Sequence, residues 1–483
     1  MKKLLLALAL FPLLNSTLRA ELWLPALFSD GMIVQREKPF VLWGKDTPGT
    51  KITVTLAGTS GSTAVTEQGT WKITLPVQSF TGSQTLIIQG SETREIQDVL
   101  LGEVWIASGQ SNMEYSLRAI KADPKDLTEN ADRPIRFFKV KRNASADPVE
   151  DVSGSWGKPN NRVSAVAFYF AQSLYGELDV PVGIIQSGWS GSPIRGWIPF
   201  EILETLPPAN YVVKKHHAFL KLDPSSEEFT QTNESYKPHG RPGYLYNGMI
   251  HPIAGYAAKG IIWYQGESDV GKPYGYTVFC QAMLKAWREA WQDPTLGFFP
   301  VQLAGYRDMQ TTPSEGGTLP SMREAQIAIL SMPYTGAASA ADVGEADNIH
   351  PVNKRPVGHR LATSALHVMY GRQDLPAGSP RFDTLQIEGS EVTLTLKDIG
   401  KGLKLEPNGA HSGFALKAED GDWQWAEVKS LNENQVVIHS DAVENPVQVR
   451  YGWARNPCLS IFSEEGFPLL PFRTDDKPYR DAK

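Results

Sequence analysis

The chain has 483 residues but only two cysteines, Cys280 and Cys458. Two cysteines cannot build the dense disulfide framework of small secreted domains, so the fold must depend on hydrophobic cores. The sequence leaves open whether the two thiols pair. A chain of this length exceeds one ordinary core, and a domain size of about 100–200 residues predicts two to four domains.

Long hydrophobic runs are also scarce. The clearest one, LLLALALFPLL, follows Met1-Lys2-Lys3 and precedes Ala20. A basic head, a short apolar run and a small residue are typical of a secretory signal, whereas a membrane span needs roughly 18 or more apolar residues. We therefore expect a signal peptide at residues 1–20, no membrane span, and a secreted or periplasmic location.

Positive charge is not in excess: the chain has 47 Lys and Arg and 53 Asp and Glu, which gives a net charge of -6. Nucleic-acid-binding proteins usually carry a basic face, so a nucleic-acid partner is not expected. The HExxH zinc pattern and the glycine-rich phosphate loop are both absent. We predict no metal and no cofactor, and interpret the adjacent His216 and His217 as surface residues.

Hydrophobic patterning divides the chain into three regions. Short β-rich runs between turn residues predict an N-terminal β module at residues 21–98. In residues 99–378, apolar runs that resemble buried strands alternate with helical patterns, which is typical of a mainly parallel sheet covered by helices. Strand-like alternation returns in residues 379–483. The expected fold class is α/β, flanked by N- and C-terminal β-sandwich-like modules.

Four polar clusters directly follow predicted strands of the central region. In open α/β sheets, ligands bind at the carboxyl edge of the strands, so we expect these clusters to form one site. They are GQSN with Ser111, SGWSGSP with Gly188 and Gly191, QGESD with Gln265 and Glu267, and DNIHP with Asp347 and His350.

These residue types match the requirements of acyl transfer. A serine such as Ser111 is a weak nucleophile and needs a base, usually a histidine oriented by a carboxylate. His350 and Asp347 supply both groups. The tetrahedral oxyanion needs fixed donors, which a glycine-turn N–H at Gly191 and the amide of Gln265 would provide.

Each residue also has an ordinary structural explanation when taken alone. Ser111 suits a tight turn, Gly191 an unusual backbone conformation, and His350 a surface position. Gln265 suits a satisfied amide at a strand end, and Glu267 a solvated carboxylate. The occurrence of four such polar clusters at one edge of one sheet nevertheless favours a functional site.

Five segments carry a resemblance to a known family: GEVWIASGQSNM, GIIQSGWSGSPIRGW, LYNGMIHP, KGIIWYQGESD and DNIHPVNKRPVGHRLA. In these segments the chain resembles the bacterial sialate O-acetylesterase family, a branch of the SGNH hydrolase superfamily that removes acetyl esters from carbohydrates. The resemblance extends over nearly the whole chain after residue 20. The order and spacing of the motifs are more specific than any single motif.

The resemblance implies an SGNH-type, flavodoxin-like central sheet and a serine esterase. Its catalytic residues would be the nucleophile Ser111, the base His350 and the orienting acid Asp347. The oxyanion hole would consist of the backbone N–H groups of Ser111 and Gly191 and the side-chain amide of Gln265.

Supporting or substrate-binding roles are predicted for Asn112, Glu267, Trp189 and Arg195. Trp189, together with Trp197, Tyr244 and Tyr246, could stack on sugar rings. Arg195 could bind a sugar carboxylate.

Two departures from the family pattern bear on substrate preference but remove no catalytic group. Ser190 stands where many relatives have a second glycine, and Asp269 where many have asparagine.

The expected partner is an O-acetylated carbohydrate, and the resemblance favours O-acetylated sialic acid. Acetylxylan or another plant polysaccharide is an alternative, because the catalytic groups would be the same. A non-catalytic carbohydrate-binding protein is a further alternative, which the joint presence of Ser111, Asp347 and His350 disfavours. The ester position and the oligomeric state are left open.

Overall fold

The structure is a computed structural model that describes residues 21–476. The predicted signal peptide at residues 1–20 therefore lies outside the described residues. None of the helices within residues 21–476 has the length and apolar character that a membrane crossing requires.

The N-terminal region is built from short strands, as its alternation predicts. In three of them every second side chain is buried over most of the strand, since one face of each strand packs on a core. The strands are β1 (Ile33–Gln35), β2 (Pro39–Lys45), β3 (Lys51–Leu56), β4 (Thr59–Ala64), β5 (Thr70–Val77) and β6 (Gln84–Gln89). β2 pairs with β5, and β3 lies between β4 and β6, all antiparallel.

One long strand, β7 (Thr93–Gly109), connects this region to the centre of the protein. Its first part pairs antiparallel with β6, and its second part pairs with central strands from Glu103 onward. The ladder to β6 is irregular near Asp98, whose φ is +58°. The border predicted after residue 98 thus coincides with an irregular point inside a continuous strand.

The central sheet is mainly parallel, as predicted, and each apolar run of the central region contains one of its strands. The further strands are β8 (Ile135–Lys139), β9 (Trp156–Gly157), β10 (Val182–Gly188), β11 (Gly260–Tyr264), β12 (Gly297–Gln302) and β13 (Ala338–Ser339). The order is β13-β12-β11-β7-β10-β8-β9, and only the edge strand β9 pairs antiparallel along this path. A flavodoxin-like order would place β8 next to β7, whereas here β10 separates them.

Helices cover both faces of the sheet. The helices of residues 21–476 are α1 (Ser111–Glu114), α2 (Lys125–Thr128), α3 (Ala165–Leu178), α4 (Phe200–Glu204), α5 (Asn210–Leu220), α6 (Glu227–Ser235), α7 (Pro273–Trp291), α8 (Thr318–Ile327) and α9 (Arg355–Tyr370). Trp105 of β7 packs on Phe170 of α3, and Trp263 of β11 packs on Trp287 of α7. Ser108, three residues after Trp105, is the register partner of Trp263, so the two rings point to opposite faces.

The C-terminal region contains a second hydrophobic core and two four-stranded antiparallel sheets. Its strands are β14 (Arg381–Glu388), β15 (Glu391–Lys397), β16 (Leu403–Leu405), β17 (Phe414–Ala418), β18 (Gln424–Trp425), β19 (Glu427–Asn432), β20 (Gln435–His439), β21 (Pro446–Tyr451), β22 (Ile461–Ser463) and β23 (Phe472–Arg473). The fully buried Arg323 of α8 attaches this region to the centre. Its guanidinium donates hydrogen bonds to the carbonyls of Leu303, Ala304, Ala454 and Arg455.

Both cysteines are buried and unpaired: Cys280 lies in α7 and Cys458 in the C-terminal region. The question of a disulfide, which the sequence left open, is answered in the structure by two free thiols.

Candidate active site

Three central strands end at the same level, which places their following turns side by side. Gly109 at the end of β7 pairs with Gly188 at the end of β10 and with Tyr264 at the end of β11. Because the sheet is parallel here, three of the four predicted polar clusters meet at its carboxyl edge.

The turn from Gly109 to Ser111, called the nucleophile turn after the role that the sequence predicts for Ser111, depends on Gly109. Its φ is +135°, and an added Cβ would lie 2.2 Å from the carbonyl oxygen of Tyr264, so a larger residue would not fit. The Gln110 N–H donates to the same carbonyl at 2.9 Å, and α1 begins at the next residue, Ser111. The Ser111 side chain is half-buried, and among the described residues it makes no hydrogen bond. Its hydroxyl is therefore not committed to a structural role.

The DNIHP loop contacts the nucleophile turn at two points. The Asn112 side chain donates to the carbonyl of Ile349 at 3.1 Å. The rings of Tyr115 and His350 stack with centroids 5.2 Å apart. The fourth polar cluster therefore joins the other three, as the sequence predicted.

Asn348 and Glu345 determine the shape of this loop. Asn348 Oδ1 accepts from the His350 N–H at 2.9 Å, and its Nδ2 donates to the His350 carbonyl and to Glu345. Asp347 is exposed, and no hydrogen bond within residues 21–476 joins its carboxylate to His350. The His350 ring likewise has no hydrogen bond to Ser111 in this part of the chain. The loop thus places the predicted base near the turn, but within the described residues no hydrogen bonds connect Ser111, His350 and Asp347 as a triad.

Burial and a nearby cation both act on His350. Desolvation lowers the pKa of the imidazole, and the positive charge of Lys354 lowers it further. A neutral imidazole is the form that accepts a proton, so the environment favours a base.

Asn112 is the centre of a buried polar cluster. Its Nδ2 also donates to Glu267, and its Oδ1 accepts from Lys354 Nζ at 2.5 Å. Burial raises the pKa of the Glu267 carboxyl despite the Asn112 contact, and burial lowers the pKa of Lys354 to about 8. One side chain thus connects the nucleophile turn, the QGESD loop and the start of α9. Sequence reasoning missed Lys354, because an isolated lysine carries no pattern that indicates burial.

The SGWSG turn is fixed to the nucleophile helix through Glu114, which was not predicted. Glu114 Oε2 accepts from the backbone N–H of Ser190 at 2.6 Å and from its hydroxyl at 2.7 Å, and Arg142 binds the same carboxylate. The serine that replaces the family glycine therefore has a partner. Gly191 follows with φ +74°, and its N–H donates no hydrogen bond within the described residues. A free N–H beside the nucleophile turn suits an anion-binding role.

Gln265 is fully buried, and its amide is already engaged. Its Nε2 lies 2.6 Å from Asp269 Oδ2, 3.1 Å from Gln110 Oε1 and 3.1 Å from the Ser192 carbonyl. Asp269 Oδ2 also accepts from the Ile194 N–H at 2.8 Å, and burial raises the pKa of this carboxyl. Asp269, which departs from the family pattern, therefore joins the QGESD loop to the segment after the SGWSG turn through buried hydrogen bonds.

The structure corrects several predicted surface contacts. Trp197, Tyr244 and Tyr246 are buried and cannot stack on a sugar, because their rings pack on the rings of Trp263, His216 and His251, respectively. His216, interpreted as a surface residue, is 2% exposed in an aromatic cluster. Trp189 does remain partly exposed, stacked on His239. Arg195 is also partly exposed, and its Nε donates to the Gly240 carbonyl at 3.1 Å.

Comparison with known proteins agrees with this architecture. Residues 101–367 match the model of a carbohydrate esterase family described as sialic acid-specific acetylesterase. The chain is 29% identical to the sialate O-acetylesterase of Mus musculus, with 90% of each chain covered. It is 27% identical to the Homo sapiens sialate O-acetylesterase, with 89% of this chain and 87% of that protein covered.

A solved structure is also similar over nearly the whole chain. It is a carbohydrate acetylesterase from Xanthomonas citri, 32% identical, with a TM-score of 0.82 and coverage of 95% of this chain and 100% of that one. The matched family region includes the nucleophile turn, both neighbouring turns and the DNIHP loop. The chain therefore belongs to the family of sialic acid-specific carbohydrate acetylesterases and is a carboxylic ester hydrolase.

Proposed function

We propose that the protein is a secreted serine esterase that removes O-acetyl groups from carbohydrates, with O-acetylated sialic acid as its substrate. The observation that carries this proposal is the contact of the Ser111 turn with the His350 loop, through Asn112 to Ile349 and Tyr115 to His350. The Ser111 hydroxyl has no hydrogen-bond partner among the described residues, and the loop in contact with its turn carries a histidine with a lowered pKa. Acyl transfer needs both a serine hydroxyl and a base of this kind. The proposed fold type is that of the SGNH hydrolases.

In the first step His350 takes the proton of Ser111 while the hydroxyl oxygen attacks the acetyl carbonyl carbon. The tetrahedral intermediate collapses, the sugar leaves as an alcohol with the proton from His350, and an acetyl ester forms on Ser111. Water, deprotonated by the same imidazole, then releases acetate and restores the serine. Asp347 would orient the ring and stabilise the imidazolium, which requires its exposed carboxylate to turn toward His350.

The oxyanion would be stabilised by the N–H groups of Ser111 and Gly191, each donor being worth about 10²–10³ in rate. Gln265 could contribute a third donor only if its amide gave up one of its present acceptors. Asn112 and Glu267 would support the turn, and Trp189 would contact the sugar.

The rate should depend on pH through His350. Burial, and to a smaller extent Lys354, lower the pKa of His350, so the imidazole stays neutral to a lower pH. On the acid side, kcat/KM should therefore fall to half of its maximum only at a pH below 6.5, the ordinary histidine pKa. Lys354→Met removes the cation, so the acid limb should move upward. Lys285→Met, an exposed lysine on α7, serves as the matched control and should leave the limb in place. A limb that stays unchanged in Lys354→Met would contradict the assigned influence of Lys354.

The predicted location follows from the signal peptide proposed at residues 1–20, which would direct the chain to the periplasm or the outside of the cell.

Acetylxylan is the rival substrate, because the same catalytic groups would cleave it. Acetate release by the purified protein should be measured from O-acetylated sialic acid and from acetylated xylan side by side. We expect a higher kcat/KM on the sialic acid. Release from xylan alone would assign the enzyme to plant polysaccharide, and no release from either would refute the proposed activity.

A further inference from the structure

A cleft of about 350 Å³ opens beside the candidate oxyanion turn. Gly191 and Ser268 form its wall on the side of the nucleophile, and Ser268 N–H contacts Gln110, the residue before Ser111. The opposite wall comes from the helical segment between β10 and β11. The cleft therefore adjoins the turn that carries Ser111.

The charge of this basic cleft, as we call it, has one sign. No acidic residue of the described part of the chain lines it. Four cationic side chains do: Arg195, Lys215, Lys237 and Lys272. None of the four forms an ion pair within residues 21–476. Asp269 lies near enough to Arg195 and Lys272 for their charges to lower the pKa of its carboxyl, against the larger effect of burial. That carboxylate is buried and already accepts from Gln265 and Ile194.

Several contacts hold the cations in place. Arg195 Nε donates to the Gly240 carbonyl at 3.1 Å, which leaves the two terminal nitrogens of the guanidinium available. Lys215 Nζ lies 4.9 Å from the centroid of the Tyr236 ring, and Lys272 Nζ lies 5.6 Å from that of Tyr211. Unpaired cations in a concave site focus a positive potential and attract an anion.

We propose that the basic cleft binds the carboxylate of an acidic acetylated sugar while the acetyl group reacts at Ser111. This inference rests on the proposed function and adds the residues that would select the substrate. A planar carboxylate matches the paired donors of a guanidinium, and the lysines add charge without fixed geometry. The carboxylate could belong to sialic acid or to a uronate branch of a polysaccharide, and neutral acetylated sugars would bind weakly.

The first test compares acetate release by the full chain from O-acetylated sialic acid and from its C1 carboxamide. We expect kcat/KM for the acid to be at least about tenfold higher than for the carboxamide, because the acid has the lower KM. The preference for the acid should decrease at higher salt, since salt screens the charges. Arg195→Gln and Lys272→Gln should each reduce this preference, whereas Lys285→Gln should preserve it. Xylan fragments with and without a glucuronate branch distinguish the two sources of carboxylate. Equal kcat/KM for acid and carboxamide in the wild type would overturn the proposal.

Binding of unacetylated sialic acid, measured by calorimetry, separates this inference from the proposed chemistry. Weaker binding in Arg195→Gln than in Lys285→Gln would support the cleft even if no ester were cleaved. Cleavage of 4-nitrophenyl acetate without binding of sialic acid or glucuronate would leave the esterase intact and refute the cleft.

Discussion

Ser111→Ala should lower kcat for acetate release by on the order of 10⁴ to 10⁶, because no acetyl-enzyme can form without the hydroxyl. The remaining rate would come from water attacking an ester that the Gly191 turn still polarises. KM should change little, since a hydroxyl that forms no hydrogen bond in the structure contributes little to ground-state binding. Steady-state kinetics with a chromogenic acetyl ester and with the sugar substrate would measure both parameters.

Ser116→Ala is the matched control for this substitution. Ser116 lies in the same segment, and within residues 21–476 its hydroxyl accepts only a local N–H from Ala119 at 3.3 Å. We expect its kcat to stay within about twofold of the wild type. Mass spectrometry of the acid-quenched wild type should find an acetyl group on the Ser111 peptide. A Ser111→Ala protein that kept a tenth of the wild-type kcat would exclude this serine as the nucleophile.

Local patterns were sufficient to predict the elements that carry the site. The apolar runs ending at Gly109, Gly188 and Tyr264 are strands because they are continuous and bounded by turn residues. The helical patterns around α3 and α7 were equally clear. Since parallel strands end at a common edge, the pattern predicted that the polar turns lie on one side of the sheet. Their close approach depends on the strand order, in which β10 and β11 both neighbour β7.

Features that depend on tertiary contacts escaped prediction. Lys354 is 1% exposed because its ammonium binds Asn112 and lies over the rings of Tyr115 and Tyr264, all of which are far from it in sequence. Trp197 looked like a sugar contact, but its ring is fully buried and its indole N–H donates to Ser192.

The basic cleft illustrates the same limit. Its cations are spread between residues 195 and 272, on segments that no local periodicity brings together. Arg195 alone could be suspected from the sequence. The convergence of the other three depends on how the segment between β10 and β11, which carries Lys215 and Lys237, packs against the loop after β11, which carries Lys272.

Asp347→Asn should lower kcat by a factor of about 10⁴, because Asp347 is proposed to orient His350 when substrate binds. An amide in that place cannot stabilise the imidazolium and can hold the ring in the wrong tautomer. The structure makes this test informative, because the Asp347 carboxylate is exposed and forms no hydrogen bond to His350 within residues 21–476. The kcat of Asp347→Asn on a chromogenic acetyl ester provides the measurement.

Glu345→Gln provides a carboxylate-to-amide control on the same loop. Glu345 accepts from Asn348 Nδ2 at 2.9 Å and from the Val352 N–H at 2.6 Å, so its role in the structure is to hold the loop. Since glutamine retains one acceptor, we expect a loss of less than about tenfold in kcat and a lower melting temperature. The opposite ranking, with Glu345→Gln severely impaired and Asp347→Asn active, would contradict the role of Asp347 as the orienting acid. In that case the shape that Asn348 and Glu345 give the loop would itself be the catalytic arrangement, and no rotation of Asp347 would be needed.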